Sequence, residues 1–287
     1  MEHLIHIFSH AIEDTLTMVP FLFLAYLAIE WIEHHHSERI EGALSQGGRW
    51  GFVPAAVLGC VPQCGFSAMA ANLYASRVIT LGTLLSVFLV TSDEAVPLLL
   101  AVPDKWPQLL ALLGVKLAIG ILAGFVIDFV LRGLLPASLA GGYTGRAADC
   151  DCHEHVEEDS VLVATLKHSL HIILFIFLFN LVMGAAVEWV GEDAISAFVV
   201  GVGWLQPFAA GLVGLIPNCA ASVLLTQLYL SGSLSFGAVV AGLCTGAGVG
   251  LAVLFRANKS WKQNLFITGL LYCIGVAAGL LLTLLGF

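Results

Sequence analysis

The chain has 287 residues, 59% of them hydrophobic and only 11% charged, with a mean hydropathy of +0.95. Soluble domains carry about 25% charged residues, so this composition excludes that class and indicates a bilayer protein. The formal net charge of −9 argues against a nucleic-acid partner, and much of the acid sits in one stretch, DCDCHEHVEEDS at 149–160.

In chain order, the first apolar run is Ile12 to Ile32. About 20 apolar residues cross the hydrocarbon layer as a helix. The preceding MEHLIHIFSHAIEDTL lacks a basic start and a small-residue cleavage site, so the run is expected to be a retained span and not a signal peptide. Residues 51–103 are apolar but punctuated by VPQCGFSA and TSDEAVP. Leu109 to Val130 forms the next run, and after the Cys/His/acid-rich linker comes Leu170 to Val187. Residues 204–255 are punctuated by IPNCAASV and GLCTGAGVG, and Leu265 to Leu285 closes the chain.

These segments form two matched sets. Adding 155 pairs Pro62 with Pro217, Cys64 with Cys219, Ser67 with Ser222 and Tyr74 with Tyr229. It also pairs Trp106 with Trp261, Gly120 with Gly275 and Gly124 with Gly279, all without a gap. Upstream, an offset of 158 pairs Glu30-Trp31 with Glu188-Trp189. Apolar composition alone explains matched leucines, not matched Pro, Cys, Trp and Gly.

Basic residues reverse between the halves. Arg39 and Arg49 follow the first span, whereas the counterpart GEDAISAF, read as a loop, has none; Arg256, Lys259 and Lys262 face a counterpart with only Lys105 beside Asp104. By the positive-inside rule the halves have opposite orientation. The expected fold is therefore an all-α polytopic membrane protein of two inverted-topology repeats, 1–135 and 166–287, joined by a cytoplasmic linker at 136–165, with both termini outside. An odd number of crossings per half requires a broken or re-entrant segment. The candidates are 51–75 and 206–230, turning at VPQCG and IPNCA near the midplane, with further breaks at TSDEAVP and GLCTGAGVG.

The polar residues at these turns are candidates for substrate binding. Pro62 and Pro217 free backbone carbonyls; Gln63 and Asn218 add amides, Cys64 and Cys219 thiols, Ser67 and Ser222 hydroxyls. Thr91 and Ser92 add hydroxyls at the neighbouring break. Asp93 and Glu94 are adjacent carboxylates inside an apolar segment, where ionisable groups are costly and functional by default, and are assigned to proton or cation coupling. Cys60, Cys244 and Cys273 have no cysteine partner in the other half and read as packing residues, with Cys60 one helical turn from Cys64. Lys116 lies within a span and is left open between snorkelling and pairing; Asp128 reads as interfacial. In the linker, Cys150, Cys152, His153 and His155 offer thiolate and imidazole to a soft or borderline metal ion, in a spacing unlike a zinc finger. His34, His35 and His36 are an auxiliary cluster or a solvated helix end.

The blocks VPQCGFSAMAANLYASRVITLGTLLSVFLVTSDEAVPLL and LIPNCAASVLLTQLYLSGSLSFGAVVAGLCTGAGVGL, joined by a Cys/His-rich loop, resemble the ten-transmembrane heavy-metal exporter family. Its members carry the names arsenic efflux protein and manganese transporter. The resemblance implies secondary active efflux of a metal or metalloid ion across a bacterial inner membrane, with no tightly bound cofactor and no enzymatic activity. Its ten helices are compatible with the repeats if each broken segment counts as two.

The absence of GxxxxGK[ST] argues against direct ATP drive. Proton-coupled alternating access follows, with manganese favouring the carboxylates, amides and carbonyls, and trivalent arsenic the cysteines. The alternative is a membrane thiol-disulfide electron relay through Cys64 and Cys219. An anion channel fits less well, because the turns carry no basic residue. The ion and the oligomeric state stay open.

Overall fold

The structure, a computed structural model, describes residues 48–62, 64–92, 95–142, 173–179 and 191–286, with isolated positions at 19–20, 170, 181–182, 185 and 189. Nearly all of the first expected span, parts of the Leu170 to Val187 run and residues 143–165 of the linker lie outside the described residues, as do His34, His35 and His36.

The described first half contains α1 (Phe52–Gly59), α2 (Cys64–Ala75), α3 (Leu81–Val90), α4 (Ala95–Leu100) and α5 (Trp106–Phe125). Helix α5 continues into a π-helical turn at Val126–Val130, followed by the short α6 (Ala137–Ala140). The second half contains α7 (Glu192–Gly201), α8 (Gln206–Gly214), α9 (Cys219–Leu230), α10 (Phe236–Thr245), α11 (Val249–Ala257) and α12 (Trp261–Leu284). Among the described residues the only bridge of β type is the isolated Thr80–Gly141 pair.

Helix bounds recur at the offset found in sequence. Helices α2 and α9 are both 12 residues long and begin at Cys64 and Cys219; α3 and α10 are both 10 residues long, beginning at Leu81 and Phe236. The reason is local chemistry repeated. Thr80 and Ser235 cap α3 and α10 by accepting the N–H of Thr83 and Ala238, each at 3.2 Å. At the ends of α2 and α9, Arg77 (φ 62°) and Gly232 (φ 77°) adopt the left-handed conformation. There the Val78 N–H reaches the Leu73 carbonyl at 2.8 Å and the Ser233 N–H reaches that of Leu228 at 3.0 Å, the pairing that closes a helix against over-winding.

Packing recurs as well. Helix α3 lies between α1 and α5, and α10 between α8 and α12. The contacts need glycine: a Cβ on Gly59 would meet the Val87 carbonyl, and one on Gly214 the Gly242 carbonyl, positions that match at the same offset. The halves also exchange partners, since α2 packs on α11 and α9 on α4, while α3 and α10 meet at the centre.

Among the described residues, four helical segments are long and apolar enough to span a membrane, five if the pair Ala194–Gly201 and Gly203–Gly214, bent by 110°, counts as one. The chain is thus a helical multi-pass membrane protein. In the interrupted segments Leu81–Leu100 and Phe236–Ala257 the apolar windows are 75% and 83% buried, against 33% and 28% in Pro103–Val130 and Trp261–Leu284. The interrupted helices therefore form the interior, and the long ones face lipid with Leu110, Leu122, Leu281 and Leu284 exposed. Trp106 and Trp261, both exposed, begin those two helices, as the amphipathic indole favours at a membrane boundary.

One expectation fails here. GEDAISAF is not a loop: Gly191 (φ 85°) starts a helix that runs to Gly201, and Gly203 (φ 56°) ends it. No breaker lies between these glycines, so local propensity carries the helix through.

Gly214→Ala should cost about 1–3 kcal/mol, because its Cβ meets backbone that cannot rotate away. Gly114→Ala, with nothing within 4 Å of the new Cβ, should instead gain about 0.5–1 kcal/mol from helix propensity. Thermal unfolding of both variants in detergent reads the contrast.

Candidate functional site

The two proline-cysteine turns fall between helices: α1 ends before Cys60 and α2 begins at Cys64, and α8 ends before Leu215 and α9 begins at Cys219. The breaks at 91–94 and 246–248 separate α3 from α4 and α10 from α11. Pro62 is exposed. Gln63, Asp93 and Glu94 lie outside the described residues, as do Cys150, Cys152, His153 and His155 in the linker; Cys64 is placed by its backbone alone.

At the second turn a small cavity, of about one water's size, is lined by Asn218, Cys219 and Ser222 from the turn and by Gly242, Gly246 and Gly248 from the glycine-rich break. The structure thus brings together two motifs 20 residues and more apart in sequence. Pro217 is half-buried at the same turn. Asn218 Oδ1 accepts the Ala220 N–H at 3.2 Å, so it also caps α9. Ser222 Oγ donates to the Cys219 carbonyl at 3.0 Å, which leaves its oxygen lone pairs as acceptors. A thiol, a hydroxyl oxygen and an amide around a particle-sized space can take the place of a hydration shell.

The first turn is seated differently. Ser67 is fully buried, and a Cβ on Gly250 would lie 2.8 Å from its Oγ, so α2 rests directly on α11. Thr91 and Ser92 are buried, with hydroxyls folded back on their own helix: Thr91 Oγ1 donates to the Val87 carbonyl at 2.7 Å and Ser92 Oγ to the Val90 carbonyl at 3.2 Å. Their side chains finish α3.

Lys116 stands between these regions. It is 0% exposed, and its Nζ donates to the carbonyl of Thr91 at 2.7 Å and to that of Leu243, in α10, also at 2.7 Å. One ammonium therefore joins the break of the first half to that of the second. Snorkelling is excluded. Position in the run was the available signal: ten residues from Trp106 is about 15 Å along a helix, half the hydrocarbon thickness.

Cys60 donates its thiol to the Ala56 carbonyl at 3.6 Å, Cys244 is fully buried and Cys273 is exposed. Among the described residues no group of three or more His, Cys, Asp or Glu is arranged to hold a metal ion.

Asp128, near the end of the Pro103–Val130 span, is packed inside the protein. It is 3% exposed, accepting from Thr80 Oγ1 at 2.5 Å and from the Gly82 N–H at 3.1 Å. A carboxylate thus caps the positive N-terminal end of α3, in the space where Gly82 lacks a Cβ. The equivalent position in the second half is Thr283, over Gly237.

A family model described as "Putative, 10TM heavy-metal exporter" matches residues 2–188. No curated protein and no solved structure matches the chain. The matched region covers more than half of the sequence, and the chain belongs to that family.

Asp128→Ala should lower stability by about 1–3 kcal/mol, since it strands a buried N–H and a buried hydroxyl. Asp128→Asn, which can still accept from Gly82 and donate to Thr80, should lose less. The folded fraction during titration with sodium dodecyl sulfate separates the two.

Proposed function

We propose that this member of the heavy-metal exporter family works by proton-coupled alternating access, with its two halves inverted in a bacterial inner membrane and both termini outside. The reversal of Lys and Arg between the loops supports that orientation. The observation that carries the mechanism is the cavity where Cys219, Ser222 and Asn218 meet the glycine-rich break. Broken helices that meet inside a bundle are where transporters bind cargo, and irregular backbone survives at that depth only where protein or water meets it.

In this reading the cargo is a metal or metalloid ion held between the turns at Pro62–Ser67 and Pro217–Ser222. Cys219, and Cys64 as its counterpart, supply soft ligands; Gln63, Asn218 and freed carbonyls supply hard ones. Asp93 and Glu94, next to the buried Thr91 and Ser92, take up the counter-moving proton. The Cys150–His155 linker delivers or senses metal on the cytoplasmic side. The soft set suits trivalent arsenic and the hard set manganese.

Uptake into everted vesicles tests this. Cys64→Ser and Cys219→Ser should each reduce arsenite transport at least tenfold if the thiols hold the cargo, and should leave manganese transport largely intact if the oxygens do. Asp93→Asn with Glu94→Gln should abolish stimulation by a proton gradient. Unchanged transport in all variants, together with a Cys64–Cys219 disulfide that cycles with thioredoxin, would establish an electron relay instead.

A further inference from the structure

Helices α3 and α10 both end in the interior of the protein, and helix ends leave carbonyls without intrahelical partners at the negative pole of the helix dipole. Thr91 is the C-cap of α3, and Leu243 lies in the last turn of α10, which ends at Thr245. Their two carbonyls converge on one point, and the group at that point is the ammonium of Lys116, 2.7 Å from each. Neutral backbone oxygens at the ends of interrupted helices are the donors that discontinuous-helix transporters use to hold a coupling cation.

We propose that this junction is a monovalent-cation site which the chain fills from within, Lys116 being the tethered cation. Three features support it. The side chain is fully buried, so its polar head is met by groups of the protein and not by bulk water. The two carbonyls belong to different halves, so the cation links them as a soluble ion would. The position 155 residues on is Leu271, also fully buried, so the lysine has no counterpart in the other half. The inference does not depend on the identity of the cargo. Its consequence is that wild-type protein is indifferent to the monovalent cation in solution, whereas a chain lacking the ammonium recruits one to the exposed carbonyls.

The test is thermal unfolding of the full-length protein in detergent, as wild type, Lys116→Ala, Lys116→Met and Lys116→Arg, at equal ionic strength in sodium, potassium, ammonium, methylammonium or choline chloride. Lys116→Ala should be less stable than wild type in choline. At least one small cation should raise its midpoint saturably, by about 3–5 °C at ten times the half-saturating concentration. Wild type and Lys116→Met, whose side chain fills the space, should not distinguish the salts. Equal midpoints for Lys116→Ala in every salt, or an equal rise in wild type, would overturn the proposal. If Lys116→Ala gives no folded protein, recovery of folded Lys116→Arg without folded Lys116→Met supports a required charge. Folding of Lys116→Met as stable as wild type would show that shape and not charge holds the junction, and collapse of all three variants, Lys116→Arg included, would show that a cation alone does not satisfy it; either result overturns the proposal.

Discussion

A helix that stops inside a membrane protein exposes carbonyls that lipid cannot satisfy, and the architecture turns on how those groups are met. Here one ammonium takes the Thr91 and Leu243 carbonyls together, while hydroxyls of Thr91, Ser92 and Thr245 take others nearby. For this to work the interrupted helices must lie at the centre, out of reach of lipid. Hence α5 and α12 wrap the outside, and glycines at 59, 120, 124, 214, 275 and 279 let backbones approach within a few ångströms.

The same scaffold carries unequal chemistry in its two halves. Lys116 and Asp128 are both buried in the first, facing Leu271 and Thr283 in the second. The first break is TSDE, with carboxylates; the second is CTGAG, with glycine and an adjoining cavity. Among the described residues the two halves share packing geometry, with the buried Lys116 and Asp128 in the first and the cavity in the second. That division suits a machine in which one half supplies electrostatics and the other room for a guest.

Much of this was legible in sequence because repetition amplifies weak signals. A proline in an apolar run is ambiguous once; Pro62-x-Cys64 and Pro217-x-Cys219 at the same offset as two tryptophans are not, and the helix bounds fall at that offset. Residues without a counterpart were harder. Position in the run leaves Lys116 open and gives Asp128 no partner, because which face of α5 meets α3 is a tertiary fact. Cys244 reads as a packing residue, and its burial agrees. As the counterpart of the loop bearing Arg39 and Arg49, GEDAISAF reads as a loop, whereas flanking glycines delimit a helix.

The exchange of partners, α2 resting on α11 and α9 on α4, also bears on biogenesis. Neither half completes its own interior, so the face of α2 bearing Ser67 stays uncovered until α11 with Gly250 has been made. Between Ala75 and Ala257 lie 182 residues of synthesis, about 10–40 s at typical rates. During that interval the first half waits in the bilayer with buried-type polar groups unshielded, and its early partner is whatever the insertion machinery provides.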